Sequence, residues 1–158
     1  MKIFISGSIS IKNLPQIAAE KIDSIIKNEY TILVGDAKGI DCLVQKYLAK
    51  QNYNNVIVYC SSDKVRNNIG QWETKKIAGK NGEKGRALYT LKDIEMANDA
   101  DYGLMIWDGK SSGTFHNAMT MKSLNKKFYI IINNENITDK EFESFMDFNT
   151  SKNLKINN

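Results

Sequence analysis

The chain is poor in several residue types that usually announce a function. Among its 158 residues there are two cysteines, one histidine, one proline and two arginines. Cys42 falls in an expected helix and Cys60 ends an expected strand. They lack metal-ligand spacing and His116 is distant, so no zinc site, no other metal and no cofactor are expected. Long apolar runs are missing too. No stretch approaches the ~20 residues that cross a bilayer. Met1-Lys2 leads straight into a strand-like run instead of a charged region followed by a long apolar one. The expectation is a reduced, cytoplasmic protein with no membrane partner. Charge of one sign is also scarce, with 22 Lys+Arg against 18 Asp+Glu and a net charge of +4. That balance slightly favours an anionic ligand. Without a basic stripe and interleaved aromatics, nucleic acid is not expected as a partner. Neither GxGxxG nor GxxxxGK[ST] occurs, so neither dinucleotide nor P-loop binding is indicated in its usual form.

What is present is a regular alternation. Five short apolar runs read as strands buried on both faces: Lys2–Ser6, Thr31–Val34, Asn55–Tyr59, Tyr102–Trp107 and Phe128–Ile132. Such runs suit a parallel sheet covered on two sides. Helical periods lie between them. Leu14, Ala18, Ile22, Ile25 and Ile26 mark the first, with Pro15 near its start, where the missing N–H costs nothing. Ile40, Leu43, Val44, Tyr47 and Leu48 mark the second, Ala87, Leu91 and Ile94 the third, and Phe115, Ala118 and Met119 the fourth, over about 112–125. The expected fold is therefore a single-domain, doubly wound α/β, mainly parallel Rossmann-like sheet of about five strands over residues 1–137. A polar excursion at 61–85 should pass over the sheet edge as a lid, a binding element or a disordered loop. Residues 138–158 should form an amphipathic helix bearing Phe142, Phe145 and Met146, a core or dimer stripe, and a frayed end at Ser151–Asn158.

In open α/β sheets the ligand crevice lies beyond the carboxyl ends of the strands. Three loops at those ends are small and polar: Ser6-Gly7-Ser8-Ile9-Ser10, Gly35-Asp36-Ala37-Lys38-Gly39-Ile40-Asp41, and Asp108-Gly109-Lys110-Ser111-Ser112-Gly113-Thr114. Glycine lets backbone approach a phosphate, and the first N–H groups of a following helix point at it. Ser111, Ser112 and Thr114 add hydroxyls, and Lys38 or Lys110 could add a countercharge. Taken singly, Gly7, Gly35 and Gly109 are equally explained as turn residues and Ser111 or Ser112 as a helix cap. Taken together, they predict one phosphate-binding site.

The same loops carry a resemblance. FISGS, LVGDAKGID, Arg86, and KDIEMANDADYGLMIWDGKSSGT resemble the SLOG superfamily, a Rossmann-like group that includes the Lonely Guy phosphoribohydrolases and the DNA processing protein A family. The match is nearest to small stand-alone members of the YspA/YpsA-related kind, over about residues 1–133 without the excursion. The resemblance implies binding of nucleotides, nucleotide-derived molecules or ADP-ribose-like compounds. It places Gly7 and Ser8 in the first motif, Gly35, Gly39 and Asp41 in the second, Lys92 and Asp93 in an Arg/Lys-Asp pair, and Gly109, Ser111, Gly113 and Thr114 in the last. On that pattern Asp41 braces the second helix against the ligand loops; alternatively it is a first-turn carboxylate favoured by the helix dipole. Two departures bear on catalysis. The stretch after Gly113-Thr114 lacks the carboxylate of the phosphoribohydrolases, and Ile9 stands near the place of an arginine.

Several residues keep two readings. His116 is a ligand-facing donor or general acid–base, or an exposed helix histidine without a task. Asp36 and Asp108 could bind ribose hydroxyls or work as a nucleophile–acid pair, or simply form turns. Trp72 could stack on a base or anchor the excursion. Arg66 and Arg86 could clamp a phosphate bidentately, Arg86 being better placed. Three functions follow in descending order. The first is a nucleotide sensor or binding module using Gly7, Ser8, Gly35, Lys38, Gly39, Asp41, Arg86, Asp93, Gly109, Ser111, Gly113 and Thr114. The second is an N-glycosidic hydrolase or transferase, deoxyribosyltransferase-like or phosphoribohydrolase-like, with Asp36 or Asp108 catalytic. The third is a nucleic-acid binder. Ligand identity, turnover and a homodimer are left open.

Overall fold

The computed structural model describes residues 1–61, 64–144 and Met146. Five strands begin where the apolar runs begin, to within a residue: β1 (Lys2–Gly7), β2 (Thr31–Gly35), β3 (Val56–Cys60), β5 (Tyr102–Ile106) and β6 (Lys127–Ile132). Two more, β4 (Glu73–Lys76) and β7 (Glu135–Thr138), extend the sheet to seven strands in the order β4-β3-β2-β1-β5-β6-β7. All pairings are parallel except β6 with β7.

The pleat divides the strand side chains between two cores, as period-2 alternation requires. Ile3, Ile5, Ile32, Val34, Val58, Leu104 and Ile106 face Ala18 and Ile22 of α1 (Gln16–Lys27) and Ile40, Val44 and Leu48 of α2 (Ile40–Lys50). Phe4, Leu33, Tyr59, Met105, Phe128 and Ile130 face Met96 and Ala97 of α3 (Arg86–Asp99), and Ala118 and Met121 of α4 (Ser112–Ser123). Burial of this kind, at roughly 25 cal/mol per Å² of apolar surface, drives the fold.

Three features differ from the sequence reading, each for a physical reason. The excursion is anchored in its first half. Trp72 is buried in the α1/α2 core and its indole N–H donates to Tyr53 O at 2.9 Å, so it anchors the excursion. Asn68 brackets that turn, accepting from Trp72 N and donating to Trp72 O. The chain then adds β4, whose sequence Glu-Thr-Lys-Lys is exposed throughout and gives no apolar signal. Charge on such an edge discourages pairing with another chain.

Ahead of the last segment the sheet gains a strand that no apolar run announces. Asn133 and Asn134, both at positive φ, form a two-residue hairpin turn that returns β7 onto β6. Thr138 and Glu141 then exchange hydrogen bonds in a capping box that starts a helical stretch at 139–144, with Phe142 buried in the α3/α4 core. Phe145 and Ser151–Asn158 lie outside the described residues.

Finally, α3 buries Lys92, Met96 and Ala97 and leaves Ala87 exposed, so Ala87, Leu91 and Ile94 do not mark its buried face. Its inward face is partly polar, with Lys92 among the buried residues, because part of it borders a crevice. Among the described residues no helix is long and apolar enough to cross a membrane.

Candidate functional site

β1 and β5 are neighbours, yet the chain leaving β1 turns to the α1/α2 face and the chain leaving β5 turns to the α3/α4 face. That divergence opens a crevice of about 480 Å³ beyond the carboxyl ends of the strands. Small-molecule sites span roughly 300–1,000 Å³ and favour such switch points.

Its first wall is the turn after β1. Gly7 is required there by close approach: a Cβ would lie 2.4 Å from Ile106 O and 2.6 Å from Ile40 Cγ1. Ser8 is buried and ties the wall to the opposite loop. Its N–H donates to Ile106 O at 3.0 Å, its Oγ accepts from Asp108 N at 3.0 Å, and it lies 3.3 Å from Thr114 Oγ1. Ser6 Oγ accepts from Asn117 Nδ2 at 2.7 Å, one turn further along α4. The start of α4 is thus held against β1 by hydroxyl and amide groups that border the crevice. Gly113 has open space where its Cβ would be.

The floor is ionic. Lys92 is buried on α3, with its ammonium 4.0 Å from Asp36 Oδ1 and 3.5 Å from Asp93 Oδ1. Asp41, also buried, accepts from Ala37 N at 3.1 Å; its carboxylate and the Lys92 ammonium fill the space that a side chain at Gly35 would need. Burial pushes the Asp41 carboxyl up, the Lys92 charge pulls it down, and Asp93 and Asp36 add repulsion, leaving it at about 6. The third wall is the exposed start of α3, where Arg86 Nη2 donates to Ser112 Oγ at 2.6 Å and so links the first turns of α3 and α4. Arg66, from the excursion, and Tyr89 also border the crevice.

Of the residues expected to bind a ligand, the structure brings together Gly7, Ser8, Gly35, Asp41, Arg86, Asp93, Ser111, Gly113 and Thr114 around this space. Lys38, Gly39 and Gly109 do not border it. Gly39, at φ +71, gives way to Ile9, whose Cα would sit 2.4 Å from a Cβ there; Gly109, at φ +78, makes the turn after β5. Lys38 is exposed, as are His116 and Lys110, and none of the three borders the crevice.

Asp36 and Asp108 also lie outside its border, and both carboxylates have structural partners. Asp36 is fully buried and accepts from Arg66 N at 3.0 Å and Arg66 Nη2 at 2.6 Å. Burial raises its pKa, but the Arg66 bonds and charge, helped by Lys92, outweigh that and hold the carboxyl below its ordinary value. Asp108 accepts from Ser10 Oγ, Lys110 N, Ser111 N and Ser111 Oγ. Although burial opposes it, those four donors hold Asp108 well below the usual carboxylate range. Among the described residues no group of three or more His, Cys, Asp or Glu side chains is placed to hold a metal ion.

Bordering residues given no role from the sequence include Tyr89, Thr90 and Asn117. One signal existed. Arg86, Tyr89, Thr90, Asp93 and Met96 follow helical spacing and share the crevice face of α3.

No family model and no curated protein matches the chain. The fold is similar to a solved structure of DNA processing protein A from Helicobacter pylori, described for its single-stranded DNA binding mode, with a TM-score of 0.65 and 19% identity. The likeness covers 82% of this chain and 64% of that one, so the chain matches less than two thirds of its length. DNA processing protein A is one of the relatives named in the sequence resemblance. The expectation that nucleic acid is not a partner is corrected by this likeness, because a single-stranded DNA-binding protein uses a similar fold.

Proposed function

We propose that the crevice is a SLOG-type site for a nucleotide or nucleotide-derived ligand, ADP-ribose-like compounds included, and that the chain acts as a sensor or binding module. One observation carries this reading: Ser8, Thr114, the open start of α4 at Gly113, Arg86 and the buried Lys92 border a single space at the switch point of the sheet. Helix-start N–H groups and hydroxyls accept a phosphate, and the two cations offset its charge. Asp93, partly exposed beside Lys92, is the acceptor for sugar hydroxyls.

The enzymatic alternative, cleavage or transfer at an N-glycosidic bond, draws on Asp36 or Asp108 as the working acid. Both are held ionised by protein donors away from the crevice, which favours binding without turnover. A thermal-shift panel of nucleotides with product analysis tests the choice. A shift without product supports the module. Free base released, and lost in Asp36→Asn or Asp108→Asn, supports the enzyme.

A second reading has its own support in the fold likeness to a single-stranded DNA-binding protein: the nucleotide is a unit of a single strand. An oligonucleotide that binds more tightly than the mononucleotide, with affinity falling steeply as salt rises, supports the strand. Equal affinities, insensitive to strand length, support the free nucleotide.

A further inference from the structure

Four large apolar side chains are markedly exposed among the described residues: Met1, Ile9, Ile69 and Tyr89. Two of them, Ile9 and Tyr89, border the crevice, one from the turn after β1 and one from α3. Single exposed hydrophobes are ordinary; two from different walls of one crevice offer apolar surface to a flat heteroaromatic ring.

Both are held in place. The backbone of Ile9 is seated against Gly39, whose Cβ would meet Ile9 Cα at 2.4 Å and Ile9 O at 2.6 Å. Tyr89 is 42% exposed, and the Arg66 guanidinium lies over its ring in a cation–π contact, 4.7 Å from the centroid. Arg66 is itself fixed by its two bonds to buried Asp36. A cation over one face of an aromatic ring holds the ring in place and leaves the other face free, and an aromatic face is what proteins use to stack bases.

We infer that Tyr89, backed by Arg66, and Ile9 form a nucleobase subsite, so that the crevice selects nucleoside phosphates over sugar phosphates. This rests on the nucleotide reading of the crevice and adds to it the base-bearing end of the ligand. The phosphate sits toward Thr114 and Arg86, and the base lies against Tyr89. Stacking rather than hydrogen-bonded readout makes the subsite tolerant among bases, with purines favoured by their larger area.

The test is calorimetric titration of the full chain with AMP, GMP, CMP, UMP, ribose 5-phosphate and inorganic phosphate. At least one purine monophosphate should bind about tenfold more tightly than ribose 5-phosphate, in line with the usual strength of base stacking on an aromatic side chain. Tyr89→Ala should abolish that advantage and leave ribose 5-phosphate affinity within about twofold, whereas Tyr89→Phe keeps it. Ile9→Ser should reduce it partially. Both positions are exposed, so the variants should keep the wild-type unfolding midpoint. Equal binding of AMP and ribose 5-phosphate, or an advantage that survives Tyr89→Ala, overturns the base subsite and leaves the phosphate site standing. No binding of any probe overturns the nucleotide reading, and the subsite with it.

Discussion

Arg66 reaches Asp36 twice, through its backbone N–H at 3.0 Å and its guanidinium at 2.6 Å, and so fastens the long connection after β3 to the end of β2. The carboxylate is also the nearest countercharge, with Asp93, to the buried Lys92. Asp36→Ala therefore removes one of the two countercharges of a buried ammonium and the acceptor of both Arg66 bonds, and should cost about 3 kcal/mol. Arg66→Ala should cost less than half as much, because the guanidinium is partly solvent-exposed and the backbone bond survives. Urea unfolding at constant m-value measures both. Equal losses in the two variants would contradict this ordering.

Trp72 gives the same connection its apolar anchor. Trp72→Ala should cost about 3–5 kcal/mol as a large core truncation. Trp72→Phe should cost about 1 kcal/mol, for the lost bond to Tyr53 O. Because the anchor holds β4 in register, Trp72→Ala should also expose Lys75 and Lys76 to trypsin under native conditions. Protection as strong as in the wild type would mean that β4 is held by something else.

Most of the frame was legible in the chain because a parallel sheet covered on two faces demands unbroken apolar runs, and Ile3–Ile5, Ile32–Val34 and Leu104–Ile106 supply them. The edges were not. Glu73–Lys76 carries no apolar residue, and its place beside β3 depends on Trp72, four residues from Asn68. β7 depends on two asparagines adopting positive φ, which composition alone does not declare. At the crevice, the glycine and hydroxyl loops could be recognised because small polar turns at strand ends have a local vocabulary. The α3 wall was legible only in part. Arg86, Lys92 and Asp93 stood out through the resemblance, but only the third dimension buries Lys92 between Asp36 and Asp93. The strand-end aspartates were legible only in their position: a sequence shows that Asp36 and Asp108 stand at strand ends, but not that their carboxylates accept from protein donors.

Asp41 predicts a pH signature. Its folded carboxyl, raised from the ordinary 3.8 to about 6, binds its proton more tightly than the unfolded chain does. Its contribution to stability is complete below 3.8 and is lost as pH climbs through 6, a change on the order of 3 kcal/mol. Asp36, Asp99 and Asp108 shift the other way, and their contributions fall away only as pH drops through their lowered values. Asn at position 41 can still accept from Ala37 N. The stability of Asp41→Asn relative to wild type should therefore rise from pH 4 to pH 6 and level off above. A flat or falling difference across that window would place the carboxyl near its ordinary value.

Two glycines separate the fold from the site. At Gly7 an added methyl would press on Ile106 O, a backbone atom of the adjacent strand that cannot withdraw. Gly7→Ala should therefore destabilise the chain by about 1–3 kcal/mol, as overpacking does, with ligand or without. At Gly113 the same methyl would meet no protein atom, and φ does not lie in the left-handed region there. Gly113→Ala should leave the unfolding free energy within about 0.5 kcal/mol of the wild type. If a phosphate approaches the start of α4, that methyl occupies its path, and nucleotide affinity should fall about tenfold or more, a loss near 1.4 kcal/mol. Parallel measurement of melting and AMP binding separates the cases. A Gly113→Ala chain that binds AMP like the wild type would mean that the phosphate lies elsewhere in the crevice, nearer Lys92 than the helix start.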